Sequence, residues 1–275
     1  MISNNDKGAN SAAKARIGRV QRFFARDTTY LKKDFNRRMR AEIVQSLAGP
    51  ICGSKVLDLG CGDGSISRQF LNNGNRVSMV DVSEDMLELA RTAAPESGAF
   101  ECKYIQANFL DHALSDQFDL ILCVGVLAHV PSIDGAFRSI RSHLRDTGRC
   151  IIQWSDSQGL AGKAMAAYTA MIERIKGSYG YKLNRLRSSD VVDTARQHGL
   201  FPVSLTRYHL MLPGMGRLPN DVLYQFQRMT LNNRAVRALS TDVIGLFSAD
   251  PHSSMEVPGQ CSRSHSVELG VPAKT

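Results

Sequence analysis

The 275-residue chain is 43% hydrophobic, 22% charged and 7% aromatic, enough apolar material for one sizeable core and the wrong mix for a fibrous or wholly disordered protein. No apolar run approaches the ~20 residues of a membrane span, and the opening MISNNDKGANSAAKAR lacks the apolar stretch of a secretion signal. The formal net charge of +8 is uneven, with about +7 in residues 1–50, about −5 in 51–156 and about +6 in the remainder, so the basicity belongs to the arms and not to the centre.

Taken in chain order, residues 1–17 are polar and expected to be disordered. Residues 18–50 read as N-terminal cap helices, broken near Asp27–Thr29. Phe35, Met39, Ile43 and Leu47 fall at i, i+4 spacing, with Arg37, Arg38 and Arg40 between them. From Lys55 strand alternates with helix. KVLDL is a strand, SISRQFLNN a helix closed by Gly74, and RVSMVDV a strand. Ser83 is placed to N-cap EDMLELARTAA. FECKYIQA is a strand, and FDLILCVG, the most apolar strand, is expected at the centre. SIDGAFRSIRSHLR is a helix and RCIIQWS a strand. Further on, AGKAMAAYTAMIERI presents Ala164, Tyr168, Met171 and Ile175 on one helical face, and Ser189 is placed to cap DVVDTARQH. FPVSLTRYHLML, DVLYQFQRMTLNNRAVRAL and DVIGLFS follow as strand, helix and strand, and 249–275 is expected to be a disordered tail.

This order predicts an α/β fold, a Rossmann-like seven-stranded, mostly parallel sheet with helices on both faces. One domain would span 18–248, with a cofactor-binding core at 53–156 and lid or substrate segments at 157–188 and 212–240. The six cysteines, Cys52, Cys61, Cys102, Cys123, Cys150 and Cys261, form no C-x-x-C pair. They are expected as reduced core thiols of a cytoplasmic protein.

In such a sheet, ligands bind beyond the carboxyl ends of the strands. The first loop there, VLDLGCGDGSIS, carries Gly60, Gly62 and Gly64. The spacing G-x-G-x-G differs from the dinucleotide fingerprint. A pyrophosphate wants bare N–H groups without carboxylates, yet Asp63 lies inside this loop and Asp58 two residues before it. They repel a diphosphate and attract a cation. Asp81 ends the second strand, where a carboxylate can accept from ribose hydroxyls. Asn108 can donate and accept at an adenine edge and Phe109 can pack on the ring. Adenine, ribose and a cationic, amino-acid-bearing tail together describe S-adenosylmethionine.

The run VLDLGCGDG, VDVSEDML, ANFLD and FDLILCVGVLAHV resembles the class I S-adenosylmethionine-dependent methyltransferases, most of all the small-molecule branch of ubiquinone and menaquinone biosynthesis. The resemblance covers roughly residues 53–156. It implies that Asp58 and the backbone from Gly60 through Cys61 and Gly62 to Gly64 surround the methionine part, that Asp81 holds the ribose, and that Asn108 and Phe109 meet the adenine. Val82 and Met86 would line the adenine pocket, with Val124 near the sulfonium. Where this family often has Asp at the adenine position, Asn108 keeps the acceptor oxygen.

An oxygen acceptor needs its proton removed, and His129, just past the fourth strand, is the candidate base. His112, Tyr30 and Asp156 are weaker candidates. Some resembled enzymes carry metal-binding glutamates just before that His. Here those places are Gly125 and Ala128, so no metal is expected. The segment after the sixth strand combines Met211, Leu212, Met215, Leu218 and Met229 with Arg217, Arg228, Arg234 and Arg237. It suits an amphipathic small-molecule acceptor and peripheral membrane contact. The fourth strand lacks the N/D-P-P-Y pattern, which argues against a nucleic-acid substrate. The expected activity is methylation, at oxygen, of an apolar or lipid-linked compound. RNA or protein methylation through the basic arms, or a non-catalytic S-adenosylmethionine-binding module, are the alternatives.

Overall fold

The computed structural model describes residues 15, 16, 18, 19, 34–95, 101–112, 114–156, 163, 167, 184, 186–211, 214–237 and 239–253. Strand β1 (Lys55–Leu59) lies in parallel between β2 (Arg76–Asp81) and β4 (Phe118–Cys123). β3 (Glu101–Gln106) flanks β2 and β5 (Leu144–Ser155) flanks β4, also in parallel. β7 (Asp242–Ser248) runs antiparallel between β5 and β6 (Phe201–Tyr208). The order β3-β2-β1-β4-β5-β7-β6 puts β4 in the middle, as its apolar sequence predicts, and reverses between β1 and β4. The carboxyl ends of the parallel strands and of β6 therefore share one edge with the start of β7, and a ligand crevice opens at the reversal.

Alternation along the strands divides the core in two. Val56, Leu120, Leu122, Ile151 and Ile244 face one cluster, which α1 (Asp34–Ala48), α2 (Glu84–Thr92) and α5 (Asn220–Asn232) cover. Leu57, Ile121, Cys123, Ile152 and Val243 face the other, under α3 (Ile133–His143) and α4 (Ser188–Gln197). On α1 the buried residues are Phe35, Met39, Ile43, Val44 and Ala48. Each of its four large side chains contributes roughly 1.5–3 kcal/mol by leaving water. Ser132 caps α3, its Oγ accepting from the Gly135 N–H at 3.1 Å. No helix among the described residues is long and apolar enough to cross a membrane.

Several expectations change. SISRQFLNN is not an α-helix but a four-residue 3₁₀ turn, Ser67–Phe70. Its serines are weak helix formers, and Asn73 and Gly74 turn left-handed directly after it. Asn75 then fixes the segment by accepting from the Ser54 N–H and donating to Ile51 and Phe70. Ser83 stands at the N-cap of α2 as expected, but its side chain makes no cap hydrogen bond; its N–H donates to the Asp81 carboxylate at 2.9 Å. Ser189 does not cap α4 either. The helix starts at Ser188, two residues before the expected Asp190, and the Ser189 Oγ donates to Asp190 Oδ1. The long C-terminal helix is two pieces, α5 and α6 (Arg234–Arg237). Cys61, Cys102, Cys123 and Cys150 are free thiols, but Cys52 is exposed and disulfide-bonded. Cys52 precedes β1 at a turn, outside the apolar runs. The expected helical face at 164–175, Tyr30, Leu212, Cys261 and most of the expected disordered ends lie outside the described residues.

Candidate active site

The loop after β1 is shaped by three left-handed glycines, Gly60 at φ 71°, Gly62 at 54° and Gly64 at 68°. A Cβ on Gly60 would lie 2.5 Å from Val126 Cγ2, so the loop can close on β4 only without a side chain there. A Cβ on Gly62 would meet nothing within 4 Å, which leaves open space on the side where backbone approaches a ligand. The Gly60 and Cys61 N–H groups both donate to Val80. Cys61 is buried beside them.

Asp58 is 2% exposed beneath this loop, and its Oδ2 has no hydrogen-bond partner among the described residues. Burial pushes its carboxyl up to about 7. The neighbouring Ser67 hydroxyl pulls it down, while Asp81 and Asp63 repel its charge. Asp63 behaves differently. Its Oδ2 accepts from Arg37 Nη1 at 2.5 Å and its Oδ1 from the Ser65 N–H. Of the two carboxylates read as cation-attracting, Asp63 already has its cation, delivered by α1.

Asp81 is the hinge of the site. Its Oδ2 accepts from the Gly62 N–H and its Oδ1 from the Ser83 N–H, each at 2.9 Å. Burial raises its pKa, and backbone N–H groups of Ser83, Gly62 and Val82 work against that rise. Val82 is partly exposed and Met86 is buried on the first turn of α2. After β3, Asn108 is tied into its own turn, donating to Asp111 at 2.5 Å and accepting from the Leu110 N–H. Phe109 is buried in the core cluster of Leu57, Leu59 and Val80, so its ring is a core element first. Val124 is buried at the end of β4.

His129 is partly buried in the loop after β4. Burial, then the guanidiniums of Arg16 and Arg40, push its imidazole down to about 4. The loop is clamped from outside. Asn184 Nδ2 donates to the carbonyls of Leu127 and Val130, and Arg16 donates to those of His129 and Ala128. Arg16 falls in the stretch expected to be disordered, yet Ala15 and Arg16 are helical. His112 is exposed. Asp156 is buried at the end of β5, where it accepts from Ser188 Oγ and Arg207 Nη2 and ties β5 to α4 and β6.

Sequence reasoning missed the residues that α1 and β6 bring to this edge. Arg40 Nε donates to the Tyr208 hydroxyl at 2.9 Å. His209, at φ 69°, stacks on Phe35 and sets its Nδ1 3.4 Å from Asp242 Oδ2. A left-handed non-glycine at the end of a strand marks stored strain, but φ is not readable from sequence. The signal for Arg40 was its place in the basic run on α1.

Residues 57–152 match the family described as a methyltransferase domain. Over 116 residues the chain is 33% identical to a ubiquinone biosynthesis O-methyltransferase of Aeromonas salmonicida, covering 42% of this chain and 48% of that one. It is 28% identical over 167 residues to the Bordetella avium protein of the same name, covering 60% and 69%. The chain thus spans about half the length of the first relative. A solved S-adenosylmethionine-dependent methyltransferase of Thermotoga maritima shares the fold at a TM-score of 0.59 and 14% identity, over 84% of this chain and 99% of that one. Residues 57–152 thus match a methyltransferase domain, on a fold shared with solved S-adenosylmethionine-dependent methyltransferases.

Proposed function

We propose that this protein transfers the methyl group of S-adenosylmethionine to an oxygen of a small apolar or lipid-linked acceptor. The observation that carries the reading is Asp58, a buried carboxylate whose Oδ2 has no partner among the described residues, behind a left-handed glycine loop. An ammonium supplied by a ligand would satisfy that oxygen. A pyrophosphate would worsen its position. The donor set therefore fits S-adenosylmethionine, whose sulfonium supplies an already activated methyl group. Asp58 and the Gly60–Gly64 backbone would hold the methionine part. The Asp81 oxygens each keep a lone pair beyond their backbone bond and can accept from ribose hydroxyls. Val82, Met86, Asn108 and the edge of Phe109 would border the adenine, and Val124 the methyl.

With the methyl already activated, the chain's work is placement and exclusion of water. His129 would stand on the acceptor side as an imidazole that burial and the guanidiniums of Arg16 and Arg40 keep neutral and weaken as a base. An amphipathic acceptor is supported by the segment after β6. Met211 and Met215 pack on the core, whereas Leu218, Val222, Met229 and Leu239 are exposed. Exposed Arg217 and Arg228 accompany them, a composition suited to contact with an anionic membrane surface from the cytoplasmic side.

Incubation of purified protein with methyl-tritiated S-adenosylmethionine and fractionated cell extract tests the reading. Label should enter one small-molecule species, identified by mass spectrometry. Binding of the cofactor with no label transferred into any fraction would contradict it.

A further inference from the structure

Beyond β3 the chain makes one helical turn, in which the N–H groups of Asp111 and His112 both donate to the Asn108 carbonyl at 3.0 Å. Residues three apart on such a turn share a face. Asn108 and Asp111 therefore meet, and Asn108 Nδ2 donates to Asp111 Oδ2 at 2.5 Å. The turn is anchored along its length. The Ala107 N–H donates to the Asp81 carbonyl at 2.9 Å, the Phe109 carbonyl accepts from Ser139 Oγ at 2.8 Å, and the Leu114 N–H donates to His143 Nε2 at 2.9 Å. Asn108 is thus held beside the carboxyl end of β2, where Asp81 stands.

An amide has two unlike ends, and only one suits adenine. The 6-amino group of adenine is a donor and calls for an acceptor, so an Nδ2 group turned to it would repel. A carboxylate at this position could accept with either oxygen, whereas Asn108 accepts only through Oδ1. Two neighbours decide which end is offered. Asp111 Oδ2 takes the Nδ2 group, and the Leu110 N–H donates to Oδ1 at 3.3 Å. Turning the amide over would set oxygen against the carboxylate and NH2 against the N–H, replacing two attractions by two repulsions. Leu110 uses one of the two lone pairs of Oδ1, and among the described residues no side chain or backbone group takes the other.

Resting on the S-adenosylmethionine reading above, we propose that Asp111 is a positioning residue for the adenine. It locks the Asn108 amide with Oδ1 towards the 6-amino group, and so makes the site select a 6-amino over a 6-oxo purine. Asp111 acts through Asn108 and not on the ligand. Once Asp111 is removed, the amide can turn over and donate Nδ2 to a 6-oxo group.

The test is calorimetric titration of the full chain with S-adenosylhomocysteine and with S-inosylhomocysteine, which carries an oxo group in place of the 6-amino group. Wild type should bind the adenosyl ligand roughly 10-fold tighter or more. Asp111 is exposed, so Asp111→Leu leaves the core intact. This variant should lower the ratio of affinities about 5- to 10-fold, by weakening the adenosyl ligand while the inosyl ligand binds as well or better. Asp111→Asn keeps a carbonyl oxygen for Nδ2 and should recover most of the ratio. A residue that only stiffened the turn would weaken both ligands together and leave the ratio as it was. An unchanged ratio in Asp111→Leu, or no preference in wild type, overturns the proposal and leaves the S-adenosylmethionine reading standing. No binding of S-adenosylhomocysteine by wild type overturns both.

Discussion

The two halves of the sheet handle charge in opposite ways. Around the ends of β1 and β2, the loop encloses Asp58, Asp63 and Asp81, with one guanidinium, Arg37, paired to Asp63. Around the ends of β4 and β6, Arg16 and Arg40 surround a histidine held neutral, and the nearby carboxylate Asp156 is taken by Arg207. The first half gathers carboxylates and the second guanidiniums.

The contrast breaks most visibly at Asp81. Asp81→Ala removes the acceptor of the Gly62 and Ser83 N–H groups together with the proposed ribose contact. S-adenosylhomocysteine affinity by calorimetry should fall on the order of 100-fold. Unchanged affinity would mean that the first half is not the cofactor half.

Next in size is the opposed pH response of the two halves without ligand. Asp58 has its folded pKa raised from 3.8 to about 7. Its contribution to stability is therefore full below the unfolded value and lost as pH rises from there through about 7. His129 has its folded pKa lowered from 6.5 to about 4, so its contribution is present above the unfolded value and lost as pH falls towards 4. The two oppose each other across the window they share. Asp58→Asn should be about 1–3 kcal/mol more stable than wild type near neutral pH, with the gain vanishing at acid pH. Denaturant unfolding at several pH values reads this, and a gain independent of pH would show that Asp58 is ionised throughout.

A smaller effect sharpens the link between the halves. Asp63→Asn weakens the partly buried pair with Arg37 that holds α1 to the glycine loop, and should cost about 1–2 kcal/mol in the same unfolding assay. Smallest of all, Met229, 73% exposed on α5, should tolerate Met229→Ser within about 0.5 kcal/mol. Partitioning onto anionic vesicles should nevertheless fall.

The first half was largely legible in the sequence. Its strands, the glycine spacing and the acidic residues ending β1 and β2 are local, so adjacency in sequence is adjacency in space. The second half was not. Arg40 meets Gly125 and Tyr208 across separations of 85 and 168 residues, and Arg16 reaches the His129 loop from a stretch whose composition reads as disordered. Cap bonds were less legible than the helix starts they mark. Ser83 stands at the N-cap as its position predicts, yet its Oγ makes no cap bond. Asp63 shows the converse limit. Its position in the loop was plain, but the Arg37 that neutralises it comes from a different element.

The central claim, that the first half takes a cationic methyl donor through Asp58, is tested most directly by proton release. Calorimetric titration with S-adenosylhomocysteine in buffers of different ionisation enthalpy should show about one proton released per ligand near pH 6, and little near pH 8, because Asp58 must ionise to meet the ligand's ammonium. Asp58→Asn should abolish the release. Binding with no proton released near pH 6, or the same release from Asp58→Asn, would contradict the account.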